Sequence, residues 1–309
     1  MTGKRVIVVG GTGKIGRHLV RRLVELGNEV HSLARFSDPT HATREEQEAL
    51  GVKTFARDVA QADAFAGVPR DYDYVFYEVG LKFGSEADPE YTVEVNVRAA
   101  GRAMEHFAGV RGFLMASTGN VYADTVDGAA ESDMPLPPSF YAITRLAGEW
   151  MVDYFSRRNN TPAVIQRIFY AYHEAFGVPT DIARQIRDGE PIDLSTPYVN
   201  VIWLDDLLEL MIASAKLCAV PPRIINLTGT ENVSVRWLAE RLGELMGKEP
   251  KFVGEPGEKS LLGKTEEMVR LLGAPNTSLE EGLQRIARSV MAREYPLDHP
   301  TKWEKRAGF

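Results

Sequence analysis

Apolar runs alternate with amphipathic stretches along the first two thirds of the chain. Each run has the length of a buried strand, and the stretches between the runs place apolar side chains at helical spacing. Because strands and helices take turns, the pattern predicts an α/β fold with a doubly wound parallel sheet. The predicted strands are Val6–Val9, Glu29–Leu33, Tyr74–Tyr77, Gly112–Ala116 and Ala163–Ile168. The first predicted helix begins near Lys14, and the others span Glu45–Leu50, Tyr91–Phe107 and Tyr141–Arg157.

Beyond Phe169 the alternation loosens, and the pattern predicts a smaller, discontinuous C-terminal substrate-binding domain. The 309 residues suffice for two domains. We place the first domain at residues 1–168, with 198–217 returning to it, and assign 169–197 and 218–309 to the second. From His299 onward the sequence resembles a polar tail. The candidate elements of this half are a strand at Arg223–Leu227 and helices at Asp205–Lys216, Ser234–Met246, Thr265–Leu272 and Ser278–Glu294.

Between the first strand and the first helix lies a turn whose glycines are spaced three apart. Gly10, Gly13 and Gly16 allow a tight turn, a close approach of a pyrophosphate and close packing of the helix on the strand. Lys14 and Ile15 open the helix, whose first amides and positive dipole end would face the phosphates. Strand, turn and helix together predict a Rossmann-type dinucleotide-binding site.

The residue that ends the second strand indicates which dinucleotide is bound. An acidic residue there holds the ribose 2′-hydroxyl of NAD, whereas an arginine accommodates the 2′-phosphate of NADP. Arg35 stands at this point, so NADP is the preferred cofactor. NAD is the alternative, if Arg35 is a solvated loop residue and Asp38 reaches the ribose. Asp58, which precedes Val59, either accepts a hydrogen bond from the adenine amino group or caps the following segment.

Composition narrows the class of protein. The net charge is −7 and the sequence pI is about 5.5, which argues against nucleic-acid binding, since that binding needs a clustered cationic surface. The single cysteine, Cys218, excludes an internal disulfide, and with six scattered histidines it offers no metal-ligand spacing. No apolar run is long enough to span a membrane, and Met1–Lys4 leaves no room for a signal peptide. We therefore expect a cytoplasmic protein without a metal site.

Four side chains near two element boundaries suggest hydride-transfer chemistry. Ser117 and Thr118 follow the strand at Gly112–Ala116, and Tyr141 opens a helix that carries Arg145 one turn later. Residues four apart share one helical face, where the positive charge favours the phenolate form of the tyrosine. Tyr141 could then exchange a proton with a substrate oxygen that Thr118 orients, while a nicotinamide takes or gives the hydride. The alternative is that Tyr141 is an aromatic residue packed on the core.

Taken together, these motifs resemble extended short-chain dehydrogenases/reductases of the NAD-dependent epimerase/dehydratase family. The resemblance covers nearly the whole chain. It implies that Thr118 orients the substrate, that Tyr141 is the catalytic acid/base and that Lys82 borders the sugar site. The LARFSD stretch at Leu33–Asp38 is similar to members that use NADP. The matching segments are GGTGKIG at Gly10–Gly16, Asp58, VGLKFGSEADPEYTVEVNV with Asn96, STGNVY at Ser117–Tyr122, YAITRLAGE at Tyr141–Glu149 and NVIWLDDL at Asn200–Leu207.

Two departures from the family pattern concern the chemistry. Arg145 stands where the family motif Tyr-x-x-x-Lys has lysine. Arginine keeps the positive charge and can grip the nicotinamide ribose, but it cannot give up a proton, so it can stabilise a phenolate without relaying protons. Dehydratases of the family have Asp-Glu after the threonine, whereas Gly119 and Asn120 follow Thr118 here. The second departure argues against sugar 4,6-dehydration.

The candidate substrate pocket also departs from the nucleotide-sugar members. Those members commonly have an asparagine after strand six and arginines in the C-terminal lobe that hold the diphosphate. This chain has Tyr170 at the first position, and Val199 and the arginine-free segment Phe252–Ser260 at the others. The resemblance thus indicates a free sugar, sugar acid, lactone or other small polyol or carbonyl compound. The candidate substrate-binding residues are Lys82, Ser117, Thr118, Tyr170 and His173, with Glu174 beside them. For His173 the alternative is a role in orienting a loop.

These features lead to one function and one alternative. The first is an NAD(P)-dependent oxidoreductase or epimerase that acts on a hydroxyl or carbonyl of a sugar-like molecule, with Tyr141 as acid/base beside Thr118 and Arg145. The alternative is a non-catalytic dinucleotide-binding sensor or partner-binding module on the same fold, which the arginine at position 145 motivates. The helices at Tyr91–Phe107 and Tyr141–Arg157 are long enough to pack against a second copy, so a homodimer is expected.

Overall fold

A seven-stranded parallel sheet forms the centre of the molecule. The computed structural model describes residues 1–37, 42–296 and 300–305. The strands in chain order are β1 (Arg5–Val9), β2 (Glu29–Ala34), β3 (Lys53–Ala56), β4 (Tyr74–Tyr77), β5 (Gly112–Thr118), β6 (Ala163–Ile168), β7 (Tyr170–Tyr172), β8 (Pro191–Asp193), β9 (Tyr198–Val199), β10 (Val201–Trp203), β11 (Arg223–Leu227), β12 (Val233–Ser234) and β13 (Lys251–Val253). Across the central sheet the order is β11-β6-β5-β4-β1-β2-β3, with every neighbouring pair parallel. This is a doubly wound Rossmann sheet with an added strand beside β6, so the predicted fold class is confirmed.

Helices cover both faces of this sheet. The α-helices in chain order are α1 (Gly16–Glu25), α2 (Arg44–Ala49), α3 (Pro89–Val93), α4 (Ala99–His106), α5 (Phe140–Asn159), α6 (Val178–Asp188), α7 (Leu204–Ala213), α8 (Val235–Met246), α9 (Glu266–Leu272) and α10 (Leu279–Ala292). A π-helical segment at Glu94–Arg98 joins α3 to α4, and 3-10 turns lie at Gly119–Val121 and Ser214–Leu217. In the part of the chain that the structure describes, no helix has both the length and the apolar character needed to cross a membrane.

The residues of β1 alternate between two apolar layers. Val6 and Val8 pack in the layer that contains side chains of α1 and α7, whereas Ile7 and Val9 pack in the layer that contains side chains of α4 and α5. All four are fully buried. A parallel strand with both faces buried needs an unbroken apolar run, which explains why β1 could be recognised in the sequence.

A smaller lobe, made of α6, β8, β9, α8, β13 and α10, has an apolar core of its own. Ile182, Leu238 and Ile286 are fully or almost fully buried there. The sequence pattern did not predict α6. Pro179 stands in the first turn of this helix, where its missing N–H breaks no helical hydrogen bond, so it starts the helix instead of ending it.

The structure changes two assignments made at the C-terminal end. The predicted strand Arg223–Leu227 is β11, which pairs with β6 in the central sheet, so residues 218–309 belong only in part to the smaller lobe. Ile225 and Leu227 are buried in the layer that contains α7, which ties this strand to the sheet. Residues 300–305 are not a polar tail, because Trp303 is only 4% exposed and packs in the core of the smaller lobe.

Candidate active site

The glycine turn between β1 and α1 lies at the carboxyl end of the sheet. Gly10 has a φ of +94°, which favours glycine, and a Cβ there would lie 2.9 Å from the carbonyl carbon of Glu78. A Cβ on Gly16 would lie 2.3 Å from the carbonyl oxygen of Gly10. A Cβ on Gly13 would meet no described atom closer than 3.4 Å. The outer two glycines therefore serve the turn and the helix packing, whereas Gly13 faces open space.

A first cavity, of about 170 Å³, lies between the ends of β2, β3 and β4. Its lining includes the predicted cofactor residues Gly10, Gly13, Arg35, Asp58 and Val59. We call it the β2-side cavity. Asp38, the alternative acidic residue, lies outside the described residues.

Arg35 and Asp58 are linked in this cavity through Tyr91. Arg35 Nη1 donates to the Tyr91 hydroxyl oxygen at 3.1 Å, and the same hydroxyl donates to Asp58 Oδ2 at 2.9 Å. Asp58 Oδ1 accepts the backbone N–H of Ala60 at 2.9 Å. The local capping role considered for Asp58 is thus present, together with a position on the cavity wall.

A second cavity, of about 560 Å³, brings together most of the other predicted residues. We call it the β5-side cavity. Residues Gly13, Arg35, Glu78, Val79, Gly80 and Leu81 line both cavities, so the two form one continuous cleft. The predicted residues on the wall of the β5-side cavity are Gly13, Lys14, Ile15, Gly16, Arg35, Lys82, Ser117, Thr118, Tyr141, Arg145 and Tyr170.

Thr118 and Tyr141 enter the β5-side cavity from two neighbouring elements. Thr118 is the last residue of β5, and Tyr141 lies in the first turn of α5, which Ser139 caps by accepting the N–H of Ala142 at 3.2 Å. Thr118 Oγ1 accepts both the backbone N–H and the side-chain amide of Asn120, each at 3.1 Å. Because the oxygen acts as an acceptor in both contacts, its own proton can be donated to a ligand.

Arg145 is buried below this pair and binds two strand ends. Its Nη1 donates to the carbonyl oxygen of Val79 at 2.5 Å, and its Nη2 donates to that of Ala116. The guanidinium therefore joins the segment after β4 to β5, through two donors that its planar fork holds in a fixed geometry. Its Nε is buried and has no hydrogen-bond partner among the described residues.

Ser117 points into a buried polar network under the cleft. Its hydroxyl donates to Glu149 Oε1 at 2.5 Å. Glu149 is paired with Arg167, the shortest contact being 2.6 Å, and Arg167 Nη1 donates to the Tyr122 hydroxyl oxygen at 2.6 Å. Burial lowers the pKa of Arg167, but the contacts with Glu149 outweigh burial and the net shift is upward. Ser117 thus lies on the cavity wall and is at the same time bonded to the core.

The loop that carries Lys82 is held from two sides. Buried Asn96, in the π-helical segment, accepts the N–H of Leu81 at 2.8 Å and donates to its carbonyl at 3.0 Å. Lys82 Nζ donates to the carbonyl oxygen of Thr301 at 3.1 Å. Thr301 in turn donates its N–H and its hydroxyl to Asp181 Oδ2, at 2.8 and 2.6 Å. Residues near the C-terminal end therefore form part of the wall beside Lys82.

His173 is not among the lining residues of either cavity. Its Nδ1 accepts the N–H of Ala175 at 3.2 Å, and its ring packs near His18, with ring centroids 5.3 Å apart. Its Nε2 lies 3.1 Å from a carboxylate oxygen of Glu174. This geometry corresponds to the loop-orienting alternative, with His173 away from the substrate pocket.

Several wall residues were missed by sequence reasoning, among them Glu78, Asn120, Phe176 and Thr301. The sequence contains a signal for Glu78, because this residue directly follows the apolar strand Tyr74–Tyr77. Ligands of parallel sheets bind at the carboxyl ends of the strands. No sequence pattern indicates Thr301, since only the tertiary fold brings it near Lys82. Within the described ranges, no three or more His, Cys, Asp or Glu side chains come together to hold a metal ion.

Comparisons with known proteins identify the family. The family model described as NAD dependent epimerase/dehydratase family matches residues 6–228. The chain therefore belongs to this family and is an NAD-dependent epimerase/dehydrogenase, in agreement with the resemblance of its motifs.

Individual relatives are distant but extend over most of the chain. A protein described as uncharacterized UDP-glucose epimerase YtcB, from Bacillus subtilis (strain 168), is 21% identical over 307 residues, which cover 90% of this chain and 95% of YtcB. L-arabinose 1-dehydrogenase (NAD(P)(+)) from Haloferax volcanii is 25% identical over 65% of this chain and 77% of its own length. The solved structure of UDP-glucuronic acid 4-epimerase from Bacillus cereus in complex with NAD has a TM-score of 0.78 at 20% identity and covers 92% of this chain and 96% of that chain. This last likeness shows the shared fold.

The cleft has the features that a dinucleotide requires. The glycine turn leaves room at Gly13, which lines both cavities, and the N-terminus of α1 begins directly after this turn. The buried, unpartnered Nε of Arg145 is a donor without an acceptor on the cleft wall. The residues that would hold the dinucleotide are Gly10, Gly13, Lys14, Ile15, Gly16, Arg35, Asp58, Val59, Tyr141 and Arg145.

Proposed function

We propose that the protein is an NAD(P)-dependent oxidoreductase or epimerase that acts on a hydroxyl or carbonyl of a sugar-like substrate. The observation that carries this proposal is the β5-side cavity. Its wall contains Thr118, Tyr141 and Arg145 together with residues of the glycine turn. The descriptions of two relatives, as a UDP-glucose epimerase and an L-arabinose 1-dehydrogenase, support sugar chemistry. Family membership counts against the alternative of a non-catalytic module.

In this proposal Tyr141 is the acid/base that exchanges a proton with the reacting substrate oxygen. Thr118 donates its hydroxyl proton to the same oxygen and orients it. Arg145 places a fixed positive charge one helical turn below Tyr141 and stabilises the phenolate without relaying the proton. The bound dinucleotide supplies hydride transfer.

We further propose a substrate without a nucleotide diphosphate. Val199, at one of the positions where nucleotide-sugar members carry arginine, is fully buried in the smaller lobe and cannot reach a ligand. The segment Phe252–Ser260 contains no arginine. L-arabinose, named for one relative, is a sugar of this kind. A free sugar, sugar acid or lactone fits these observations better than a UDP-sugar.

The test is a turnover screen followed by one substitution. Free sugars, sugar acids, lactones and UDP-sugars are incubated with NAD and NADP, and products are detected by absorbance of the reduced cofactor and by chromatography for epimers. With the best substrate, Tyr141→Phe is expected to lower kcat/KM by about 10²- to 10⁴-fold, the range for loss of a general acid/base. Unchanged turnover in Tyr141→Phe contradicts the proposed mechanism.

A second variant, Arg145→Lys, tests whether the arginine at position 145 prevents catalysis. If neither the wild-type protein nor Arg145→Lys turns over any compound of the panel, the non-catalytic alternative gains support. If the protein converts only UDP-sugars, the proposed substrate class is wrong, but the proposed activity on sugars is retained.

For the cofactor, NADP is the preferred candidate and NAD the alternative. Support for NADP comes from Arg35, which lines the β2-side cavity together with Arg57 and can meet a 2′-phosphate there. NAD bound to the Bacillus cereus structure supports the alternative. Titration of the purified protein with NADH and NADPH distinguishes the two candidates. We expect a lower Kd for NADPH than for NADH, and we expect Arg35→Ala to abolish this preference.

We also propose a homodimer formed through α5. Three large apolar side chains, Ile143, Trp150 and Tyr154, are at least half exposed on this helix, at spacings of seven and four that place them on one face. An exposed apolar stripe of this size on a long helix is typical of an interface. A second copy related by a twofold axis would cover it.

A further inference from the structure

Glu78 occupies the junction of the two cavities. It directly follows β4, and its backbone N–H donates to the carbonyl of Val9 at 2.7 Å, which places it beside the end of β1. Its carbonyl group packs against Gly10 of the glycine turn. It lines both the β2-side and the β5-side cavities. A dinucleotide that extends from Arg35 to Tyr141 must pass this residue.

The carboxyl group of Glu78 has an unused hydrogen-bonding atom. Its Oε1 is buried and has no hydrogen-bond partner within the described residues. An unpaired buried carboxyl oxygen costs free energy unless a ligand satisfies it. Since Glu78 is half-buried as a residue and lines both cavities, a ligand in the cleft lies beside its side chain.

Charged and titratable side chains from several elements surround Glu78 in the cleft. Arg145 on α5 favours the ionised form of Glu78, but burial outweighs it and raises the pKa of Glu78 to about 8. The carboxyl group is therefore largely protonated at neutral pH. The other charged and titratable side chains that line the two cavities are Lys14 in the glycine turn, Arg35 after β2, Arg57 and Asp58 after β3, Tyr91 on α3, Lys82 after β4, Tyr141 on α5 and Tyr170 on β7.

The protonation state decides whether Glu78 suits a dinucleotide. The diphosphate of a dinucleotide is an anion, and a carboxylate beside its path would repel it in a partly desolvated cleft. A protonated carboxyl group instead has one O–H donor, which can be given to a phosphate or ribose oxygen. A ribose hydroxyl can donate to either form of the carboxyl group, but beside the diphosphate only the neutral form adds to binding.

We propose that Glu78 is a dinucleotide-binding residue that acts as a neutral acid, donating a hydrogen bond to the bound cofactor, so that cofactor affinity falls as Glu78 ionises. This inference rests on the proposed dinucleotide-dependent function. The sign follows from linkage: the complex retains the proton, so binding is strong below the pKa of free Glu78 and weakens as the pH rises above it.

The test measures the Kd of NADH for the full chain between about pH 6.5 and 9, by quenching of tryptophan fluorescence. NADH is the probe because the 2′-phosphate of NADPH titrates at about pH 6 and would add its own pH dependence. The Kd is expected to rise about tenfold from pH 7 to pH 9, the change that a required proton with a pKa of about 8 produces.

Three variants make the assignment specific. Glu78→Gln keeps a donor and cannot ionise, so its Kd is expected to stay constant over this range. Glu78→Leu lacks the donor and is expected to bind NADH more weakly than Glu78→Gln at every pH. Glu86→Gln, at an exposed glutamate in the loop that follows, is the matched control and should keep the wild-type pH dependence.

A measurement on the wild-type protein alone covers the case in which the variants do not fold. Calorimetry at about pH 8.5, in two buffers with different ionisation enthalpies, is expected to show proton uptake when NADH binds. Absence of uptake, a pH-independent wild-type Kd, or the same pH dependence in Glu78→Gln would overturn the inference and leave the proposed function intact. If NADH and NADPH fail to bind at any pH, the proposed function fails together with it.

Discussion

The three glycines of the turn after β1 look equivalent in the sequence but have different roles in the structure. Gly16 leaves no room for a side chain, because its Cβ would lie 2.3 Å from a backbone oxygen that cannot move without opening the turn. Gly13 has room for a methyl group in the protein itself. Its lack of a side chain is therefore useful only to a ligand that approaches the turn.

This difference gives a prediction for single residues. Gly16→Ala is expected to lower the free energy of unfolding by about 1–3 kcal/mol, the usual cost of an overpacked site, as measured by urea denaturation. Gly13→Ala is expected to unfold like the wild-type protein but to bind NADH and NADPH at least about tenfold more weakly, a loss of ~1.4 kcal/mol. The roles assigned to the two glycines are wrong if Gly13→Ala binds normally or if Gly16→Ala is as stable as the wild type.

Between elements, the strongest link under the cleft is a buried ion pair. Glu149 on α5 and Arg167 on β6 are each about 2% exposed, and Ser117 on β5 donates to the glutamate. Both charges are compensated by hydrogen bonds, as a buried pair requires. The pair therefore fixes α5, and with it Tyr141 and Arg145, against the two strands whose ends form the cavity wall.

Removal of one partner is expected to be far more harmful than removal of both. Glu149→Gln leaves the Arg167 guanidinium buried without its counter-charge, which typically costs about 3–5 kcal/mol. The double variant Glu149→Leu/Arg167→Met removes both charges and is expected to recover at least part of this loss. Urea denaturation of the three proteins measures the difference, and a single variant within about 1 kcal/mol of the wild type would show that the pair is not structurally important.

At the scale of the whole molecule, the proposed dimer depends on the exposed apolar stripe of α5. Trp150 is 65% exposed there. Trp237, which is 44% exposed on α8 of the smaller lobe, is a comparable aromatic residue outside the stripe.

We expect the wild-type protein to elute as a dimer in gel filtration coupled to light scattering at micromolar concentration. Trp150→Glu is expected to shift it to a monomer, because a carboxylate in the centre of an apolar interface must be desolvated without a partner. Trp237→Glu is the matched control and should remain dimeric. A monomeric wild type, or a dimer that survives Trp150→Glu, contradicts an interface through α5.

Much of the fold could be predicted because its signals are local. The bounds of β4, β6 and β11 agree with the predicted strands. Strand β4 is a continuous apolar run, as is common for buried parallel strands, whereas β6 and β11 also bury Gln166, Arg167 and Asn226. The predicted helix Tyr91–Phe107 is present, but it contains the π-helical segment that brings Asn96 to Leu81, and no periodicity indicates such a segment. Helix α6 was missed because a proline in a first turn and a proline that ends a helix look alike in the sequence.

Local sequence patterns were sufficient to predict the Rossmann sheet, the glycine turn and the family, because each pattern involves residues close together in the chain. The sequence also predicted a site at Thr118 and Tyr141, which end β5 and open α5 and which both line the β5-side cavity. The tertiary structure alone decided which distant residues join them. Thr301 reaches Lys82 across 219 positions, β11 pairs with β6, and Arg145 binds two strand ends. Burial, which raises the pKa of Glu78, likewise depends on the packing of several elements around one carboxyl group, and no local pattern encodes that packing.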